Sequence, residues 1–341
     1  MLTIASEPRV SVHVAGRAAE QPVAALSAEA APPEAAKPIV DSVATLSPTP
    51  SSAPSPLSAR LKKAFFRQAH KDGQIHGSIF NKLTFGAVLG ASAWTATNIA
   101  AGIAGTPTVG AAVGLAATAG ASLFAGYMAA DVVSGVLHHW ADNYANPKSE
   151  NPFVRKFAKQ AQRHHFHPRG LGNYTPSAWA SPVSLVSWAP LVAANLADAP
   201  VPVLAGTLSL VLGTTIYGVF HMWSHKRQDD VPPIGRFLQK AHVAVSPQAH
   251  NKHHGLPWNS DFCLVSGLMN KPLQAIKFWP RYEKAVYAIT GKAPESWNVP
   301  QYKDYVDGRI THKEYVAQMS SIRKTFAETE YHRRKEVWGI D

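Results

Sequence analysis

The chain has 341 residues, with 33 Lys and Arg against 22 Asp and Glu, and a formal net charge of +11. Its single cysteine, Cys263, excludes an intrachain disulfide and fits a reducing compartment for the polar parts. The basic residues flank apolar stretches instead of interleaving with aromatics on one face, which argues against nucleic acid as the partner and for a membrane protein.

Residues 1–58 are an Ala/Pro/Ser/Val tract with clusters such as APPEAAKP and SPTPSSAPSPLS. Such a composition buries too little apolar surface to offset its ordering entropy, so this tail is expected to be disordered. No basic start is followed by an apolar core and a small-residue cleavage site, so a secretory signal is not expected. A cleaved transit peptide has only weak support. A basic, amphipathic pre-membrane segment follows at 59–82.

Four apolar stretches come next: 83–105, 108–137, 178–197 and 201–222. The first is uncharged and long enough for a hydrocarbon core of ~30 Å, which needs about 20 residues. Gly86 and Gly90, spaced as small-xxx-small, predict close packing of this span on a neighbour. The third is weaker, interrupted by Pro182 and Pro190. The competing reading is a buried bundle in a soluble protein; length and lack of charge favour the membrane.

Charge predicts orientation. Arg60, Lys62, Lys63, Arg67, Lys71 and Lys82 precede the first span. Lys148, Arg155, Lys156, Lys159, Arg163 and Arg169 lie between the second and third, and Lys226, Arg227, Arg236 and Lys240 follow the fourth. The connections near 105–108 and 198–201 carry no Lys or Arg. The three basic regions are therefore expected on the cytoplasmic side, in a bacterial inner membrane or, in a eukaryote, the endoplasmic reticulum.

Eleven of the 16 histidines fall between 138 and 254, grouped as HHWAD, RHHFHP, HMWSH and HNKHH, all at or beyond cytoplasmic span ends. Neutral imidazole is the commonest metal ligand near pH 7, and spacings of three or four put two on one helix face. Asp131, Gly135, His138 and Asp142 form one stripe of the second span. Asp131 lies inside an apolar run, where a carboxylate is costly and usually functional: it could ligate metal, orient a ligating histidine, or serve only as a partner in helix packing. His139 diverges from His138 by about 100° and is expected beside the site. Adjacent His164 and His165 cannot both face one point on a regular helix; one is expected to ligate, with His167 less certain. His221 and His225, at i and i+4, suit chelation. The last segment offers His242, then His250, His253 and His254 on a helix starting at Pro247 with Ser246 as cap. Six or more imidazoles with carboxylates exceed one zinc site and suit two ions. No HExxH, cysteine cluster or CxxCH is present. Cys263 reads as a small buried residue rather than a nucleophile.

Residues 131–280 resemble the plasmanylethanolamine desaturase (Kua) family of histidine-rich lipid desaturases. DVVSGVLHHWAD, RHHFHP, HMWSH and AHVAVSPQAHNKHHGLPWNSDFCLVSGLMNKPL are similar to its motifs, in order. The resemblance implies a membrane oxidase using two non-haem iron ions, O₂ as co-substrate and an external electron donor of cytochrome b5 or ferredoxin type. The metal ligands it implies are His138, His164, His165, His221, His225, His242, His250, His253 and His254, with Asp131 and Asp142 as supporting carboxylates. Three positions depart from the family's pattern: His139 stands for Trp, His167 for an acidic residue, and Tyr174 for a histidine.

The expected fold is all-α: a four-transmembrane-helix bundle (83–271) with a cytoplasmic helical cap and a di-metal site, then a polar helical region, 272–341. There Thr311 to Glu314 reads as a capping box, and His70, His76, His312 and His332 as surface residues. The expected activity forms the vinyl-ether double bond of plasmalogens from plasmanyl phospholipid. Alternatives are fatty-acyl desaturation or hydroxylation on the same centre, and a non-catalytic membrane metal carrier. Gly126 and Gly135 are expected to leave room for a lipid chain.

Overall fold

The computed structural model describes residues 69–71, 74–179, 181–255 and 257–339. The expected disordered tail, 1–58, and most of the basic segment after it lie outside these residues. The described chain is helical except for one hairpin: β1 (Ala69–Lys71) pairs antiparallel with β2 (Gln74–His76), Ala69 opposite His76. Apart from these two three-residue strands the all-α expectation holds.

Ser78 opens α1 (Ile79–Ala104), accepting from the Asn81 N–H at 3.2 Å while the Asn81 carboxamide accepts from the Ser78 N–H at 2.8 Å. This reciprocal cap starts the helix four residues before the apolar run does. The charge-free turn after it ends at Thr108, whose hydroxyl caps α2 (Val109–Asn143). At 35 residues α2 is roughly 52 Å long at ~1.5 Å per residue, so it outruns a ~30 Å hydrocarbon core and projects beyond it. After α3 (Pro152–Phe166), a 3₁₀ turn (Pro168–Asn173) and the single-turn α4 (Pro176–Trp179) come α5 (Ser181–Leu196) and α6 (Val201–Ser224).

Three described helices, α1, α2 and α6, are long and apolar enough to cross a membrane. The expected third span is the shorter α5, 16 residues with Pro190 inside it. Contacts fix how the four run. A side chain at Gly126 would collide with the Gly206 carbonyl, one at Gly213 would press on Ala130, and the His138 and His221 rings lie 5.2 Å apart. The pairs advance together, so α2 and α6 are parallel. Gly102 abuts Val201 while Val88 clusters with Val211, so α1 runs against α6. Asn195 of α5 donates to Thr95 at 2.6 Å and accepts from Asn98 at 2.7 Å, and Ser187 meets Thr215 at 3.0 Å. Thus α5 follows α1 and opposes α6. The turns at 105–108 and 197–200 share one end of the bundle; the histidines gather at the other.

Leu83, Leu89, Val113 and Phe124 on α1 and α2 are exposed, a distribution that a buried soluble bundle would not leave. Such faces suit contact with lipid, and the protein is a membrane protein. The close-packing expectation was misplaced, however. Gly86 and Gly90 face open space, and tight contact belongs to Gly102, Gly126 and Gly213. Gly126 and Gly135 leave no room for a lipid chain; their missing side chains admit α6 and the Cys263–Trp279 packing respectively.

The cap is built from α7 (Pro233–Lys240), α8 (Pro247–His253), α9 (Asn270–Ala275), α10 (Phe278–Thr290), α11 (Pro300–Asp307) and α12 (His312–Trp338). Both predicted caps form: Ser246 opens α8, and Thr311 with Glu314 opens α12. The far end of α12 closes over the histidine region. Arg334 donates to Gln162 at 2.6 Å and lies 4.6 Å from the Trp258 ring centroid, and Gln162 donates to the Asp142 carbonyl at 2.6 Å. Cys263 is buried and its sulfur is free.

Candidate metal centre

Four chain segments converge below the cap. His138 and Asp142 lie one turn apart near the end of α2. His164 and His165 occupy the last turn of α3, and His221 and His225 the last turn and C-cap of α6. His250, His253 and His254 come from α8 and its C-cap. Their ligand atoms form two groups, each within 4.8 Å throughout. One holds His164, His221, His225, His250 and His254; the other holds His138, His164, His165 and His253. His164 belongs to both. Neighbouring His253 and His254, diverging by about 100°, meet different halves, whereas His165 joins the second half, which His164 also shares.

Asp142 closes the second group. Its carboxylate oxygens lie 3.3 Å from His138 Nε2, 3.1 Å from His165 Nε2 and 3.3 Å from His253 Nε2. Despite that proximity, both oxygens and those three nitrogens have no properly directed hydrogen bond. In the first group His221, His225, His250 and His254 form a chain of Nε2···Nε2 contacts of 3.1, 2.9 and 3.0 Å. Buried polar atoms without partners carry a heavy desolvation cost. A cation between them would remove it, and imidazole nitrogens with a carboxylate are a fitting donor set.

The outer ring nitrogens select the tautomer. His138 Nδ1 donates to the Phe262 carbonyl at 3.1 Å, His253 Nδ1 to Ser260 at 2.9 Å, and His164 Nδ1 to Ala161, leaving each Nε2 lone pair inward. Burial holds the His164 imidazole down to about 4, and depresses His165, His250 and His254 as well, so these rings stay neutral as metal binding requires.

Not every predicted ligand arrives. His242 is exposed, in a left-handed turn after α7 (φ 56°), outside both groups. Asp131 is also elsewhere. Its carboxylate accepts the backbone N–H groups of Val265, Ser266, Gly267 and Met269 at 2.9–3.1 Å, and the Ser266 hydroxyl at 3.0 Å. Ser134 accepts the Leu264 N–H at 2.9 Å. Asp131 therefore clamps a loop to α2, and neither ligates nor orients a histidine. His167 is exposed, and Tyr174 lines a polar cleft with it beside His164.

His139 sits beside the site as expected. Its Nε2 meets Glu283 at 2.9 Å, and its ring stacks on Trp279 at 5.1 Å with a 5° interplanar angle. Glu283, buried, also accepts from Ser296 at 2.8 Å and Trp297 at 2.9 Å. Sequence reasoning missed this acid. Its signal was a carboxylate four residues after Trp279, on the buried face of α10. An apolar pocket adjoins both metal groups, lined by Leu137, Ala141, Phe157, Ala161 and Tyr217 and walled by His138, His164 and His221.

This predominantly helical membrane architecture with two histidine-rich clusters defines a class, and comparison gives it a family. The lipid desaturase domain matches residues 127–297, half of the chain, and the chain belongs to that family. It is 30% identical over 183 residues to fatty acid desaturase 4-like 2, chloroplastic, of Arabidopsis thaliana, covering 53% of this chain and 64% of that protein. Over 175 residues it is 31% identical to the plasmanylethanolamine desaturase of Myxococcus xanthus, covering 50% and 60%. Over 184 residues it is 30% identical to plasmanylethanolamine desaturase 1 of Mus musculus, covering 50% and 66%. The chain thus spans roughly 60% of the length of these curated relatives. No solved structure matches it.

Proposed function

We propose that this chain is an O₂-dependent, non-haem di-iron lipid desaturase that forms the vinyl-ether double bond of a plasmanyl phospholipid. The observation that carries the reading is the pair of buried imidazole groups joined at His164, with Asp142 between three of the rings, opening onto an apolar pocket. His221, His225, His250 and His254 would hold one ion, and His138, His165, His253 and Asp142 the other, with His164 available to either. Bound iron supplies the oxidising power that an unactivated C–H bond demands, since no acid or base can remove that hydrogen. The protein holds the ions, keeps water away and aligns one methylene pair. Leu137, Ala141, Phe157 and Ala161 line the chain slot beside His138 and His164. Taking two hydrogens from the chain yields two electrons and two protons. Reducing O₂ to two waters takes four of each, so a donor protein supplies two electrons and solvent two protons.

A four-span topology supports this reading. Because α2 and α6 are parallel, the chain must recross between them, and α5 is the segment that does so. Lys82, the basic loop between α2 and α5 and the basic residues after α6 then share the histidine side, which the charge rule puts in the cytoplasm. A metal carrier would space ligands along the membrane depth, whereas these collect at one end.

Acyl desaturation on the same centre is the second reading, favoured by relatives of both kinds at near-equal identity. Lipid profiling of cells expressing the chain or its His250→Ala variant separates them. New vinyl-ether lipids, absent with the variant, are expected. A new acyl double bond selects the second reading, and an unchanged profile sinks both.

A further inference from the structure

On the cap side of the histidine region lies a further concavity of about 280 Å³, sharing no lining residue with the other two. Lys252, Lys277 and Arg323 stand around it, all exposed, and none of its lining residues is Asp or Glu. Its floor is aromatic. Tyr305 lies under the Lys277 ammonium at 5.7 Å, and Trp279 forms the inner wall. Trp279 is the point of interest, because behind it the rings continue inward. It stacks on His139 and lies 4.8 Å from Phe262, which lies 4.9 Å from His253 and 5.8 Å from His138. A backbone route runs alongside: Ser260, also in the cleft wall, accepts from His253 Nδ1. Two ring contacts therefore separate the cleft from two ligands of the second metal group.

We infer that this cleft is where an acidic one-electron carrier protein docks, and that Trp279 and Phe262 pass its electrons to His138 and His253. The inference rests on the oxidase reading above, which needs two external electrons per turnover. Each encounter oxidises the carrier by one electron and reduces one iron of the proposed pair from ferric to ferrous; two encounters complete the requirement, and no proton crosses the cleft. Charge complementarity selects the partner: three cations with no acid among them attract an acidic surface and speed encounter, and small interfaces suit transient redox pairs. The apolar pocket for the lipid, at His138, His164 and His221, shares no lining residue with the cleft, so donor and lipid do not compete.

The soluble domain of cytochrome b5 and a plant-type [2Fe–2S] ferredoxin serve as probes against the full chain in detergent. The parent is expected to bind at least one of them, more weakly as salt rises. The triple variant Lys252→Glu, Lys277→Glu, Arg323→Glu is expected to bind at least tenfold more weakly, with metal content and dithionite-driven turnover unchanged. Trp279→Leu is expected to retain carrier binding while slowing re-reduction by the carrier at least tenfold, and Trp279→Tyr to restore most of the rate. Binding and reduction unchanged in the triple variant overturn the inference, as does a parent that binds neither carrier. Loss of binding to anionic vesicles with carrier kinetics intact also overturns it, making the cleft a lipid contact. A chain that holds no iron and oxidises nothing with dithionite instead defeats the underlying reading, so the two failures are distinct.

Discussion

Two residues of the same chemical type, His242 and His250, show how far a residue list carries. His242 follows one short helix and His250 lies within the next, and both read as ligands, yet only His250 is buried among other imidazoles. His242→Ala is expected to retain the full metal content of the parent, and His250→Ala to retain at most half, measured by elemental analysis of purified protein. Equal loss in both would contradict the two groups. Asp131 offers the converse case. Its position in an apolar run was legible as important, but five donors meet its carboxylate from a loop 134 to 138 residues away, a partnership no local pattern reveals. Asp131→Asn removes charge-assisted bonds and turns an amide N–H₂ toward donors, so a loss of about 3 kcal/mol is expected. A thermal midpoint in detergent equal to the parent's would argue against the clamp. The i, i+4 pair His221 and His225 was readable because helix periodicity alone brings them together. Glu283 was not, because its partners His139, Ser296 and Trp297 come from other elements.

Helices were easier to read than their contacts. The apolar runs of α1, α2 and α6 appear in the structure within a few residues of their expected positions, since length and absence of charge are properties of one segment. Which glycines accept a neighbour depends on rotation and register against another helix. Gly86 and Gly90 had the right spacing on the wrong face, while Gly126, Gly206 and Gly213 bring α2 and α6 together. Two substitutions separate packing from substrate space. Gly126→Leu drives a side chain into the Gly206 backbone and is expected to cost on the order of 3 kcal/mol, lowering the yield of folded, metal-bearing protein. Ala161→Phe fills the pocket beside His164 and is expected to abolish lipid turnover with metal content kept. If Ala161→Phe turned over lipid normally, the chain slot would have to lie elsewhere.

At the scale of the whole molecule, charge and geometry agree. Turns without Lys or Arg occupy one end of the bundle, and cations and imidazoles the other, as side-by-side contacts along α1, α2, α5 and α6 require. The buried Cys263, the only cysteine in the chain, makes the sidedness easy to test, because new cysteines can be placed without removing it. In intact cells a membrane-impermeant maleimide is expected to label Pro107→Cys, and Arg227→Cys only after lysis; the opposite pattern would invert the orientation. The metal groups also straddle a seam. Each draws some ligands from the long rods α2 and α6, and others from α3 and α8, which cross over their ends. Any ion held there acts as a rivet between membrane and cap. A chelator should then behave as a selective denaturant: amide hydrogens in α3 and α8 would begin to exchange quickly while those in α1 and α6 stayed protected.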